Sequence, residues 1–448
     1  MQKHEGLLEG RKSHDKLDGE VRLLILNQFF YPDHSAISQL MTDLAESLVA
    51  KGLSVTALSS RGRYNGGHAL PPREDYRGVR IVRAWATSFG KNSVAGRLAD
   101  YFTFYCGAAW NLLTLPRHDV VMALTLPPLI GLLALIVCRV RGMKLAALVE
   151  DIYPDVGIAL GTFSEGGLLA RLLDSLNRLV LSRADRIIVL GDCMLERVTA
   201  KIGPASAERI DIIHNWADGE KIRPLRAGES NPFIEEQGLR DRFVVEFSGN
   251  FGMVSDFNTP LEAARLLRAR ADIMFLFIGD GVRAGEINDF VKRHDLPNVC
   301  VLPYQPRENL LYSLAAGHAH LVTLVDGLAG LSVPSKTYGI LAAGRPVIFV
   351  GDPRSDIARL VAEHNCGAVV GAGHASRLAA IIAEWADEPS TAAKLGDEAR
   401  ALFERRFDRP QAVAAYAESL SKCLSSPLRD RCGRSIAETV TESPDFEC

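Results

Sequence analysis

Residues 326–346 read DGLAGLSVPSKTYGILAAGRP. Two β-rich apolar runs flank them, HLVTLV (320–325) and PVIFV (346–350), so the stretch is a strand-to-helix turn followed by a short helix and a second strand. That order places the Gly-, Ser- and Pro-rich turn at the carboxyl edge of a parallel sheet, with Pro334, Ser335 and Lys336 opening the helix. A helix start offers unpaired N–H groups and the positive end of a dipole, which suit phosphate, and Lys336 adds a full charge. An ordinary βα turn with a solvated lysine would have the same residues.

Working outward, two more loops of the same kind precede it. EFSGNFGMV (246–254) places Gly249, Asn250 and Gly252 after a strand, and FIGDGVRAGE (277–286) places Gly279, Gly281, Arg283 and Gly285 after the next. Glycines there permit close backbone approach, and several such loops on one edge favour a diphosphate. The second loop nearly matches a dinucleotide fingerprint. Its last Gly is one residue late, however, and the strand ending NVCVLPY (298–304) has no acidic ribose ligand, which argues against NAD.

Short apolar runs alternate with amphipathic helical runs from Val21 onward, and the pattern restarts after a charged, proline-bearing break near residue 217. The expected fold class is therefore α/β, with two Rossmann-like, doubly wound parallel-sheet domains facing a central cleft. The expected organisation is a disordered lead-in (1–20), an amino-terminal domain (21–216), a carboxy-terminal domain (217–400), a helix crossing back to the first lobe (401–424) and a disordered tail (425–448). In the first lobe NQFFYPDHSAISQL (27–40) supplies His34, Ser35, Ala36 and Ser38 at a loop-to-helix junction. They form either a second set of cleft-facing amides or simple turn chemistry. EDIYPD (150–155) follows another strand, where Glu150, Asp151 and Asp155 would orient a hydroxyl, act as a base or cap a helix.

Composition removes several classes. A net charge of −3 gives no nucleic-acid footprint. The eight cysteines show no CxxC pair or secreted-domain density, which leaves neither a zinc site nor a disulfide framework and fits a reducing cytosol. No Ser-His-Asp order, HExxH or Walker loop is present. The amino terminus lacks the apolar core of a signal peptide. The apolar run at 120–138 approaches membrane-spanning length, but Pro127-Pro128 divides it into a strand and a helix with prolines in its first turn. The aromatic run at 93–115 reads as core packing or as a membrane-surface patch.

Together FYPD, EDIYPD, HNWAD, FSGNFG, IGDG, and above all LSVPSK followed by LAAGRPVI, resemble the GT-B glycosyltransferases of family 4, particularly the bacterial exopolysaccharide and O-antigen (colanic-acid type) enzymes. The resemblance covers residues 22–420. It implies a retaining transfer with no metal or other cofactor, in which the second lobe binds a nucleotide diphosphate sugar and the first receives a glycan or polyprenyl-diphosphate-linked acceptor. Donor contacts would come from Gly249, Asn250, Gly252, Gly279, Gly281, Arg283, Ser332, Pro334, Ser335 and Tyr338. The acceptor-side loop would be His34, Ser35, Ala36 and Ser38, and Asp151 and Lys336 would be catalytic. A cytoplasmic location follows, with peripheral attachment to the inner face of the plasma membrane as an extension. Two departures stand out: Asn250 and Ser255 occupy places where many members carry Arg and Lys, and Leu331 and Gly339 align with a usual pair of glutamates. A sugar-nucleotide epimerase, or an inactive binding subunit of a membrane synthase, is the competing reading.

Overall fold

The structure, a computed structural model, describes residues 21–63, 68–87, 89, 94–226, 228–424 and 428. The lead-in expected at 1–20 and nearly all of the tail expected at 425–448 lie outside the described residues.

The first sheet is built from β1 (Arg22–Leu26), β2 (Ser54–Ser60), β3 (Arg73–Tyr76), β4 (Val79–Ala84), β5 (Val120–Ala123), β6 (Lys144–Leu148), β7 (Arg186–Val189) and β8 (Ile210–Ile212). Its order is β3-β4-β2-β1-β5-β6-β7-β8, parallel throughout except for β3, which pairs antiparallel with β4 at the edge. Strands buried on both faces read as unbroken apolar runs, and Leu23–Leu26 and Ile187–Val189 are almost wholly shielded. The covering helices are α1 (Ala36–Ala50), α2 (Val94–Thr114), α3 (Ile130–Arg141), α4 (Asp155–Ala159), α5 (Leu168–Arg183) and α6 (Asp192–Ile202). The apolar run at 120–138 divides into β5 and α3, and no helix among the described residues is long and apolar enough to cross a membrane. Pro127 and Pro128 lie ahead of α3, not in its first turn as expected: Leu129 adopts a left-handed conformation and the helix begins at Ile130. At its other end Gly142 takes φ +63, the left-handed cap that stops a helix.

The second sheet joins β9 (Phe243–Ser248), β10 (Ile273–Ile278), β11 (Val299–Leu302), β12 (Ala319–Thr323), β13 (Val347–Val350) and β14 (Gly367–Val370), all parallel, in the order β11-β10-β9-β12-β13-β14. Helices α7 (Pro232–Glu236), α8 (Asn258–Leu266), α9 (Ala284–His294), α10 (Leu310–Ala316), α11 (Lys336–Ala342), α12 (Asp356–Glu363) and α13 (Ala375–Asp387) cover it.

The late helix expected over 401–424 is two helices, α14 (Pro389–Arg406) and α15 (Arg409–Leu424). The break has a local cause. Phe407 is buried, Asp408 accepts hydrogen bonds from the Gly219 and Arg409 amides, and Pro410 suits the first turn of a new helix. Helix α14 packs on α11, whereas α15 packs on α1 and on β5, β6 and β7, with Val413, Tyr416 and Leu420 in the first lobe's core. That core continues through Leu328, Leu331, Val333 and Tyr338 of the second lobe, so the two lobes share apolar packing.

Candidate active site

Strand order reverses direction between β1 and β5 in one sheet and between β9 and β12 in the other. Such switch points open a crevice at the carboxyl ends of the strands, where ligands of open α/β sheets bind. Contacts between the lobes bring these edges together. Asp151, after β6, forms an antiparallel bridge with Ser332, after β12, and the Ile152 amide donates to the Leu331 carbonyl at 3.0 Å. Arg307 reaches Asp43 of α1 at 2.8 Å, and the Cys193 amide at the start of α6 donates to the Asp356 carboxylate at 2.9 Å.

On the second lobe the glycine loops lie against each other. The amides of Gly249, Phe251 and Gly279 donate to the carbonyls of Ile278, Asp280 and Leu302 at 2.9 Å. A Cβ on Gly279 would come within 1.9 Å of the Gly249 carbonyl oxygen, and one on Gly281 within 2.5 Å of that of Phe251. These glycines therefore serve a close approach of two loops, and two of the amides expected to face phosphate, those of Gly249 and Gly279, are already used by backbone carbonyls. Asn250 is exposed at the tip. Arg283 is drawn inward: its guanidinium donates to the Ser255 carbonyl, pairs with Glu286 and lies over the Phe257 ring.

Lys336 begins α11, and its side chain turns under Gly249. A Cβ there would meet its Nζ at 3.1 Å, and the nitrogen stands 3.2 Å from the centroid of Phe247. The residue is partly exposed overall, but its Nζ is shut off from solvent and has no hydrogen-bond partner among the described residues. Burial pulls its pKa down to about 7. Ser332 and Pro334 precede it in the loop, Ser335 caps the helix without a side-chain bond, and the Pro334 carbonyl accepts from the Thr337 hydroxyl at 2.9 Å. Tyr338 leaves the crevice altogether. It is 2% exposed, and its ring meets Phe407 edge-on in the core, so its side chain has no route to a donor there.

On the first lobe the loop after β1 is tied to the one after β5 by the Gln28 amide and Leu126 carbonyl, 3.1 Å. His34 and Ala36 are exposed, while Ser38 is buried with its hydroxyl 2.5 Å from that of Ser35. The Glu150 and Asp151 amides donate to the Thr125 hydroxyl. Burial raises both carboxyls, Glu150 to about 8 with the Asp151 charge adding to the effect, while a hydrogen bond from Ser332 partly offsets the rise at Asp151. A hollow of about 540 Å³ lies between the lobes, with Asp326, Gly327, Asp352 and His374 of the second facing Arg197 of α6. Among the described residues no group of three or more His, Cys, Asp or Glu is arranged to hold a metal.

The sequence offered no sign of the Arg307–Asp43 or Cys193–Asp356 contacts, whose partners lie in different lobes. Phe247 was better marked, since strand alternation places it on the same face as Val245 and Gly249.

Two facing switch-point crevices, one beside a buried amine, form the two-lobed arrangement of the GT-B fold. The comparisons with known proteins agree. A glycosyl transferase 4-like domain matches residues 35–216 and a glycosyl transferases group 1 domain matches 231–402. The chain belongs to the glycosyltransferases of GT-B fold. It is 29% identical to WbjE of Pseudomonas aeruginosa, described as a probable glycosyltransferase, over 69% of this chain and 76% of that one. It is 22% identical to WcaI of Escherichia coli (strain K12), described as a putative colanic acid biosynthesis glycosyl transferase, over 76% of this chain and 86% of that one. Anabaena HepE, solved with UDP and glucose, superposes with a TM-score of 0.68 at 16% identity, covering 90% of this chain and all of the other.

Proposed function

We propose that this glycosyltransferase moves a sugar, with retention of configuration, from a nucleoside diphosphate donor to a hydroxyl of a glycan or polyprenyl-diphosphate-linked acceptor in cell-surface polysaccharide synthesis. The observation that carries the reading is Lys336: an amine without an anionic partner, beside Gly249 at the β9–β12 crevice, where a diphosphate would supply the missing charge. Binding of UDP and glucose by the similarly folded HepE, and the naming of WcaI for colanic acid synthesis, support the substrate class.

In the proposed reaction the bond from the sugar's anomeric carbon to the diphosphate oxygen breaks as the bond to the acceptor oxygen forms. The acceptor proton passes to a diphosphate oxygen. Lys336 stabilises the charge that develops on the leaving group, a role for a fixed cation in a site that excludes water. Arg283 does not share that role, because its guanidinium is occupied by Ser255 and Glu286. Asp151, held at the lobe boundary by Ser332, orients the acceptor hydroxyl.

Incubation with UDP-, GDP- and dTDP-sugars, with and without a lipid-linked acceptor, tests this. Nucleoside diphosphate released only when acceptor is present is the expected result. Conversion of a sugar nucleotide to its epimer without acceptor would replace transfer by epimerisation, and absence of binding to every donor would point to an inactive subunit.

A further inference from the structure

Helices α2, α3 and α5 form one layer on the first sheet, with α3 packed between the other two. The outer face of such a layer is ordinarily polar. On α2 it is not. The inward stripe is Phe104, Ala108 and Leu112, all buried, and the outward stripe is Ala95, Leu98, Phe102, Cys106, Trp110 and Leu113, all exposed. Steps of three and four residues keep that stripe on one face for about five turns. Phe102 is 68% exposed and Trp110 69%. The neighbouring helices extend it, α3 with Ile136 and Val140 and α5 with Leu168, Leu172 and Leu179, all exposed. A contiguous apolar surface of this extent marks an interaction site.

Charge identifies the occupant. The described acidic side chains of the three helices are Asp100 and Asp174, and both are engaged: Asp100 accepts from the Thr87 hydroxyl and the Phe89 amide, and Asp174 pairs with Arg178 and Lys201. Exposed arginines stand among the apolar residues. Arg139 lies beside Ile136 and Val140, Arg171 beside Leu168 and Leu172, and Arg183 one turn beyond Leu179. A second copy of the chain meeting this face symmetrically would oppose arginines to arginines, whereas an anionic surface complements them. No described helix is long and apolar enough to cross a bilayer, so these helices would lie along it.

We propose that the α2–α3–α5 face docks on anionic phospholipid, with Phe102 and Trp110 in the interfacial layer and Arg139, Arg171 and Arg183 against lipid phosphates. Trp85, exposed directly after β4, carries the apolar surface to the carboxyl edge of the sheet, the edge that forms the crevice. A lipid-linked acceptor held in the same membrane would thereby be delivered to the cleft. That purpose rests on the transferase reading, but the docking itself is measured without donor or acceptor, so the two can fail separately.

The test is co-sedimentation of the full chain with vesicles of phosphatidylcholine alone or mixed with phosphatidylglycerol. Binding at least tenfold stronger to the anionic vesicles is expected, weakening as salt is raised. F102E with W110E should lower it at least tenfold while leaving the thermal melt and UDP affinity unchanged; should that pair fail to fold, W110S alone should still weaken binding severalfold. R139E with R183E should abolish the preference for anionic lipid. Failure of the wild type to sediment with either vesicle, unchanged binding by the folded variants, or a concentration-dependent dimer lost in F102E/W110E without any vesicle binding would each overturn the proposal.

Discussion

Lys336 Nζ stands 3.2 Å from the centroid of the Phe247 ring, and the ring face is the polar environment the lysine has in place of an anion. A cation over an aromatic face gains about 0.5–2 kcal/mol, less than the cost of burying an ammonium, which is why the amine loses its proton so readily. Lys336→Met retains the apolar stem and removes the charge. It should weaken UDP, GDP or dTDP binding by about 1.5–3 kcal/mol without lowering the melting temperature. Titration calorimetry measures it, and unchanged affinity would remove Lys336 from the donor site.

A dependence on pH follows from the same amine. With its pKa lowered to about 7, the empty site is half protonated near neutrality, while a bound diphosphate holds it charged. Above pH 7 binding must therefore take up a proton, and affinity should fall by up to about tenfold per pH unit between 7 and 9. Calorimetry at pH 8 in two buffers of different ionisation enthalpy should give an uptake approaching one proton, and Lys336→Met should give none.

The glycine loops predict an order of damage. Gly279→Ala places a methyl against the Gly249 carbonyl, a backbone atom that cannot move without displacing β9. Gly249→Ala meets only the flexible end of Lys336, and the backbone strain of about 1–3 kcal/mol from a positive φ is common to both positions, at +139 and +152. Urea denaturation should therefore find Gly279→Ala the more destabilised. The reverse order would mean that the two loops are not held together as described.

Glu150 should respond to pH in the opposite sense to a surface carboxylate. Its folded pKa, raised to about 8, lies above its unfolded value, so its contribution to stability is complete below about pH 4.5 and is lost as pH rises through 8. Glu150→Gln keeps the shape without the charge. It should gain on the order of 2–4 kcal/mol at pH 8 and almost nothing at pH 4.5. Denaturant melts at the two values measure the difference, and an equal effect at both would place Glu150 in contact with water.

Much of this architecture was legible because parallel strands buried on both faces leave apolar runs that no surface loop imitates. The edge strand β3 escaped notice for the opposite reason: RED of Arg73–Tyr76 is charged and reads as loop until β4 pairs with it. Pro410 was a readable sign that the late helix breaks, but Asp408 acts by bonding Gly219, a residue almost half the chain away. The crevice was legible as a place, and Lys336 as the residue that opens α11 beside it. Side-chain direction was not. Arg283 and Tyr338 sit at the right positions in sequence, yet the Ser255 carbonyl captures one and Phe407 the other. The glycines correctly announced a close approach, although what approaches is a neighbouring loop.

Because α15 completes the hydrophobic interior beneath β5, β6 and β7, the first lobe is discontinuous in the polypeptide. A fragment ended at Trp216 would leave the seats of Val413, Tyr416 and Leu420 open to water. Dissecting the enzyme into separately expressed halves thus calls for residues 407–424 to be grafted onto the amino-terminal piece, while the carboxy-terminal piece can stop at Arg406.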